Sequence, residues 1–439
     1  MERLLITQLL NWKKQPERKP LLLDGARQVG KSYLIEECFG KDHFHRVLKL
    51  DFLANPNLAG LFEASLDPQD ILLNIELELG VDINANNDLL FFDEIGECPA
   101  ALSSLKFFAE QRPDLYLCAS GSNIGLLNSF PVGKVEALEL FPMSFEEFVM
   151  ASGNEKILAA FRRGLQIQAA HHKLWDLLLD YYFVGGMPEA VETWFADGGK
   201  FSGINERCNR IQNIHRSLLS GYLRDFGKYG GKVNAQHIEM VFRNVPLQLS
   251  KNLDASVKRY RFSGVIDRKR SYLDLSSPIE WLEKTKLVSR CYPIDCEPES
   301  PLSAYRKENF FKLFLFDIGV LGHMLDISYQ EHRQQSYEYK GYLAENFVQN
   351  ELRVTGCYPT YSWDFRQAEI EFLFKTNNGE IIPVEVKSGK RTRAKSLQSY
   401  IERYKPVRAI KLIGSVGGTE QAGQNITWPL YYAGRLKTL

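Results

Sequence analysis

The run Gly25-Ala26-Arg27-Gln28-Val29-Gly30-Lys31-Ser32 fills every fixed position of the pattern G-x-x-x-x-G-K-[ST]. Such a run cradles phosphate. Its glycines let backbone N–H groups turn inward in conformations that a Cβ obstructs. Lys31 brings a point charge to the β- and γ-phosphates of a nucleotide, and Ser32 brings a hydroxyl to Mg²⁺. The positive end of the helix that follows adds to both. A metal held this way needs a carboxylate at the tip of a neighbouring strand, and Leu89-Leu90-Phe91-Phe92-Asp93-Glu94 supplies one. Four apolar residues bury the strand, Asp93 reaches Mg²⁺ through water, and Glu94 accepts a proton from the attacking water. The apolar run Leu115–Ala119 ends in Ser120-Gly121-Ser122-Asn123, where Ser122 and Asn123 both qualify to hold that water or read the γ-phosphate.

A second group of chemical residues lies near the other end. On a strand, residues two apart share a face, so Glu385 and Lys387 project together. Glu371 falls on the preceding strand and Glu345 on the preceding helix. Glu345, Glu371 and Glu385 would give Mg²⁺ oxygen ligands, and Lys387 would orient an attacking water. Carboxylates gathered so closely need a metal, because their repulsion otherwise raises their pKa values. Two stretches are locally basic: 251–270 holds seven Lys/Arg against two Asp, and 387–408 holds eight Lys/Arg against one Glu. Patches of this kind grip nucleic-acid backbones.

The elements that position these residues follow from pattern. From 1 to 143, apolar strands at Pro20–Asp24, His45–Asp51, Asp88–Asp93, Leu115–Ser120 and Ala137–Leu140 alternate with amphipathic helices, the mark of a parallel α/β sheet. From 144 to 229 the apolar spacing turns helical, broken at Gly185-Gly186-Met187-Pro188. From 230 to 320, two helices followed by extended Leu287–Ile294 and Phe310–Phe316 read as a winged-helix-like unit. The last block, 321–439, reads αβββαβ, with a hairpin turn at Asn377-Asn378-Gly379.

Over 439 residues, 54 basic and 54 acidic side chains cancel, which excludes nucleic-acid binding by bulk charge alone. Seven scattered cysteines show no zinc-ribbon spacing and fit a reducing compartment. No apolar run reaches the length of a membrane span, and the first residues lack a signal-peptide core, so a cytoplasmic, membrane-free protein is expected.

These motifs resemble a family of prokaryotic AAA-type P-loop ATPases fused to a C-terminal domain of unknown function with a PD-(D/E)XK nuclease-like fold. The resemblance rests on the phosphate run, Phe-Phe-Asp-Glu, Ser-Gly-Ser-Asn and Phe141-Pro142-Met143-Ser144-Phe145-Glu146-Glu147-Phe148. Beyond these it rests on Gly185–Ala190, Gly341–Val348 and Val384-Glu385-Val386-Lys387-Ser388-Gly389. It implies an AAA-type P-loop NTPase sheet, ATP with Mg²⁺, and a nuclease-like last domain. Two positions depart from the family: Gly133-Lys134 stands where Gly-Arg is usual, and Glu369-Ile370-Glu371-Phe372 where Glu-Val-Asp-Phe is usual. Lysine lacks the planar fork of an arginine finger. The longer Glu371 shifts a ligand by about 1 Å, which octahedral Mg²⁺ tolerates poorly.

Two functions follow as expectations. The first is a Mg²⁺-dependent ATPase whose nucleotide state controls a nucleic-acid-binding, DNA-cleaving C-terminal half. The second is an ATP-dependent switch whose inactive nuclease-like domain docks a protein partner or forms an oligomer.

Overall fold

The short apolar runs of the N-terminal third become the strands β1 (Leu21–Asp24), β2 (Arg46–Asp51), β3 (Asp88–Asp93), β4 (Tyr116–Gly121) and β5 (Glu136–Glu139). They form one sheet in the order β2-β3-β4-β1-β5, parallel at every pairing. The structure, a computed structural model, describes residues 1–126, 130–196, 203–230, 232–251, 259–334, 340–366, 368–376, 378–389, 395–419 and 425–438. It divides into two units, Met1–Phe141 with Lys284–Lys286, and Pro142–Glu283 with Leu287–Leu439.

In the first unit, burial on both faces explains why the strands read as near-continuous apolar runs. β3 is buried at every position. Leu50, Phe92 and Phe108 are among the residues of the core on one face. The helix Pro68–Leu79 starts where its composition says it should: Asp67 accepts the Gln69 N–H at 2.8 Å and Pro68 fills the first turn. The strand order matters for chemistry. Because β1 adjoins β4 and β4 adjoins β3, the loops leaving their carboxyl ends are neighbours, the usual place for a ligand in an open parallel sheet.

The second unit opens with helices Phe145–Ala151, Glu155–Arg162, Gln168–Val184, Pro188–Phe195, Ile204–Gly230 and Lys232–Lys251. Ser144 and Glu147 close the first of these with a capping box. Just before it, the Met143 N–H donates to the Gly186 carbonyl at 2.6 Å and the Tyr181 hydroxyl donates to the Met143 carbonyl at 2.6 Å. The Pro142–Ser144 and Gly185–Met187 stretches thus dock on one another.

Eight strands follow: β6 (Val288–Ile294), β7 (Lys312–Leu315), β8 (Thr360–Phe365), β9 (Ala368–Lys375), β10 (Ile381–Lys387), β11 (Ala409–Ile413), β12 (Gly418–Thr419) and β13 (Asn425–Pro429). They make one sheet, β12-β13-β11-β10-β9-β8-β6-β7. The helix Lys340–Val354, β8, β9, β10, the helix Lys395–Tyr404 and β11 follow one another as α, β, β, β, α, β. The ribbon read as the wing of a separate unit takes a different place. β6 and β7 pair antiparallel, and β6 then runs parallel to β8, Cys291 opposite Thr360 and Ile294 opposite Trp363. Hydrogen bonding to a distant strand draws it into the C-terminal sheet.

No helix among the described residues is long and apolar enough to cross a membrane. Parts of both basic stretches, 252–258 and 390–394 (with Arg391 and Arg393), and Asn377 of the hairpin turn lie outside the described residues.

Candidate functional site

Gly25 to Gly30 form the turn that leaves β1, and a helical run begins at Lys31–Tyr33 and continues as a π-helix over Leu34–Gly40. The turn is pressed against its surroundings. A Cβ on Gly25 would lie 2.3 Å from the Leu140 carbonyl oxygen, so only glycine fits. Gln28 (φ +64°) and Glu94 (φ +50°) hold left-handed backbone without being glycine. Such conformations are sparsely populated, and they persist where the surrounding structure over-determines them, commonly at ligand sites.

Lys31 is 5% exposed, and its Nζ donates to the carbonyls of Gly25 (3.1 Å) and Ala26 (2.9 Å) and to the Ser122 hydroxyl (3.0 Å). Burial lowers its pKa, while Glu94, Asp24 and Asp93 pull the other way. A buried ammonium facing neutral oxygens is set to receive an anion. The Ser122 hydroxyl in turn donates to Glu94 Oε1 at 3.2 Å, which links the cradle lysine to the candidate base. Of the two residues open at this strand end, Ser122 is therefore the one joined to Lys31 and Glu94. Asn123 stands beside it, its carbonyl accepting the Leu126 N–H at 3.0 Å.

Asp93 gathers the rest. Ser32 Oγ donates to its Oδ1 at 2.8 Å, Ser120 Oγ donates to the same oxygen, and Lys49 Nζ lies 2.9 Å from Oδ2. A serine hydroxyl touching a strand-end carboxylate is the oxygen pair that Mg²⁺ takes in nucleotide sites, so the donor set fits that ion. Burial works against the charge on Lys49, but hydrogen bonds to Asp93 and Glu36 more than offset it and raise its pKa. The Asp24 carboxyl, at the tip of β1, is pushed up by burial.

In the second unit, Val384 of β10 lies opposite Phe372 of β9, which brings Glu385 beside Glu371. Lys387 Nζ lies 3.2 Å from Glu371 and 3.1 Å from Glu385, and the Val386 N–H donates to Glu371 at 2.9 Å. Burial pushes the Glu371 carboxyl up to about 7, against the pull of Lys387. Glu345 meets a residue that was not anticipated: Lys312 of β7 lies 3.5 Å from it and also pairs with Glu369. Burial opposes the charge on Lys312, and Glu345 and Glu369 reverse the effect and raise its pKa. The expectation of Glu345, Glu371 and Glu385 as three ligands of one Mg²⁺ meets a different arrangement, because an ammonium occupies each carboxylate pair. Among the described residues, no group of three or more His, Cys, Asp or Glu side chains is placed to hold a metal ion.

The parallel sheet, the loop after β1 and the acids after β3 identify the first unit's architecture, and comparison with known proteins agrees. Residues 17–149 match an AAA domain. The first unit is an AAA-type P-loop ATPase domain. Residues 176–331 and 340–432 match two domains of unknown function, DUF8612 and DUF4143. Among solved structures, that of C. elegans PCH-2 is similar at TM-score 0.25 and 13% identity over 47% of this chain and 60% of that one. The structure of Drosophila ORC bound to DNA is similar at TM-score 0.27 and 11% identity over 73% and 84%. The chain thus spans 60% of the PCH-2 chain's length. No curated protein matches the chain significantly.

The first unit also contains residues that carry no motif. Arg3, 5% exposed, donates to the Val29 carbonyl inside the phosphate turn at 2.8 Å and to the Phe141 carbonyl at 2.7 Å. It precedes every pattern that could have flagged it. Lys49 did carry a signal, as a cation within the apolar strand β2. Lys134, which replaces the expected arginine, pairs with Glu110 at 2.7 Å.

Proposed function

We propose that the chain is a Mg²⁺-dependent ATPase whose nucleotide state controls nucleic-acid binding by its C-terminal half. The observation that carries this reading is the continuous contact Lys31–Ser122–Glu94 beside Ser32–Asp93. The turn Gly25–Lys31 would hold the phosphates of ATP, and Ser32 and Asp93 would hold Mg²⁺. The ion would supply charge neutralisation at the transferring phosphoryl group. Glu94 is the base that takes the water's proton, and Ser122 fixes its carboxylate against Lys31.

Nucleic-acid contact is supported by the basic stretches and by a cleft of about 460 Å³ beside the helix Lys395–Tyr404. Lys395 and Lys411 line it with Gln398, Asn425, Thr427 and one acid, Glu402, so that two cations and several hydrogen-bonding groups are open to a phosphate backbone. A second reading has its own support. The lysine-paired carboxylates favour a nuclease-like domain that docks a protein or nucleic acid without cutting it.

ATP hydrolysis and calorimetric ATP binding, compared between wild type and Lys31→Ala, test the ATPase reading, with loss of tight binding expected. DNA affinity measured across a salt series tests the partner. The log–log slope should be about −0.9 per phosphate contact. Replacing Lys395 and Lys411 with Ala should lower it by up to about two such contacts. No DNA binding at low salt would leave the protein-docking reading.

A further inference from the structure

Asp24 and Glu139 set a problem of charge beside the phosphate turn. They lie opposite each other on the parallel strands β1 and β5, so both carboxylates fall on one face of the sheet, where like charges repel. On its other side Asp24 faces Gly121 of β4, which offers no side chain. Asp24 Oδ1 accepts the Gly25 N–H at 2.8 Å, which places this charge at the first residue of the turn. Burial pushes its carboxyl up, and Lys286 pulls hardest against that. A carboxylate left uncompensated there would repel the phosphates of a nucleotide.

Lys286 reaches both acids, its Nζ 3.5 Å from Asp24 Oδ2 and 3.3 Å from Glu139 Oε2. It comes from far along the chain, inside the 176–331 match, yet Lys284–Lys286 belongs to the first unit. The backbone there is unusual. Past the helix Tyr272–Lys284, the Leu287 N–H donates to the Leu282 carbonyl at 2.9 Å, the closing bond of a Schellman-type turn. Lys286 holds the left-handed position of that turn (φ +66°), where glycine is usual. The tip is closely seated, since a Cβ on Gly125 would lie 3.2 Å from the Lys284 carbonyl oxygen. Lysine at a glycine position adds backbone strain that the turn itself does not need. The ion pairs with Asp24 and Glu139 account for it.

We propose that Lys286 is a positioning residue for ATP binding: it neutralises Asp24 beside the phosphate turn, so that the nucleotide site takes one of its charges from the 176–331 region. This rests on the reading of the first unit as an ATP site.

Calorimetric ATP binding to the full-length protein tests it, with thermal unfolding as the check on folding. Asp24, Glu139 and Lys286 together carry one negative charge. Lys286→Met makes it two and should weaken ATP binding by about tenfold. Lys286→Gly also relieves the backbone and should weaken binding equally, which a purely structural role would not do. Adding Asp24→Asn to either variant restores the single negative charge and keeps an acceptor for the Gly25 N–H. ATP affinity should then return to near the wild-type value. If Lys286→Met fails to fold, Lys286→Gly with and without Asp24→Asn decides. The proposal is overturned if either folded Lys286 variant binds ATP as wild type does, or if Asp24→Asn gives no rescue. Wild type binding ATP no better than Lys31→Ala would overturn the ATP site itself, and this contact with it.

Discussion

The Asp317 carboxylate accepts the backbone N–H of Gly186 at 2.7 Å, and it stands so close to Gly185 that a Cβ there would fall 2.3 Å from its Oδ1. Asp317 also caps the helix Ile318–Met324 through the Val320 N–H at 2.9 Å. Gly185 itself has φ +73°, open to glycine and strained for anything else. The Gly-Gly-Met-Pro break is therefore a junction where one buried acid ties the break to the helix Ile318–Met324, while Gly186 also holds the Met143 segment.

Gly185→Ala adds both a steric conflict and backbone strain, and should destabilise the second unit by roughly 2–4 kcal/mol. Urea unfolding would show it as a lower midpoint, with ATP binding retained because Gly185 lies outside the AAA domain. A wild-type midpoint would mean that Asp317 simply moves aside.

Glu94→Gln keeps the side chain's size but cannot take a proton. ATP should still bind, while turnover falls by about 10² to 10⁴. Ser122→Ala leaves Glu94 ionisable and only frees its position, so the loss should be smaller and confined to kcat. Equal losses in the two variants would argue that Ser122 acts on the substrate directly.

Arg3→Met removes two charge-assisted bonds, each typically worth about 1.5–3 kcal/mol when a charged group is involved. Because one of them ends inside the phosphate turn, ATP affinity should drop with little change in kcat. If only thermal stability changed, Arg3 would be a brace and nothing more.

Burial pushes the Glu351 carboxyl up to about 8, with Glu147 and Glu146 adding to the effect and the Phe145 N–H, which it accepts at 2.9 Å, opposing it. The folded chain thus keeps a proton that the unfolded chain releases near the ordinary carboxylate value. Its contribution to stability is complete below that value and is lost as pH rises toward 8. Between pH about 5 and 8 the second unit should lose on the order of 3–5 kcal/mol from this group. Glu351→Gln should flatten that decline. A slope unchanged in the variant would assign the titration to another residue.

The sequence made local features legible and non-local ones not. The Gly25–Ser32 pattern, the apolar run into Asp93 and the alternation of strand and helix are each carried within a few residues, and the parallel sheet of the AAA domain appears where they placed it. Which strand pairs with which is carried nowhere locally. β6 hydrogen-bonds to β8 some 70 residues on, and so the ribbon read as a wing belongs to another sheet. Lys312 escaped notice for the same reason: its partners come from a helix and a strand much later in the chain. β13 and the 3₁₀ turns over Leu430–Thr438 escaped for another, since half-buried Asn425–Trp428 show no clean alternation.

The two regions of unknown function, 176–331 and 340–432, are separate matches, yet the ladder from Cys291–Thr360 to Ile294–Trp363 crosses from one to the other. A chimaera that kept the first region and borrowed the second from a relative would have to supply a foreign strand for β6 to zip against, and an amide where Asn346 holds Leu315. Without them β6 would present a bare edge, the template on which chains aggregate. The boundary is thus closed to modular exchange, and the two regions are expected to be inherited, expressed and degraded together.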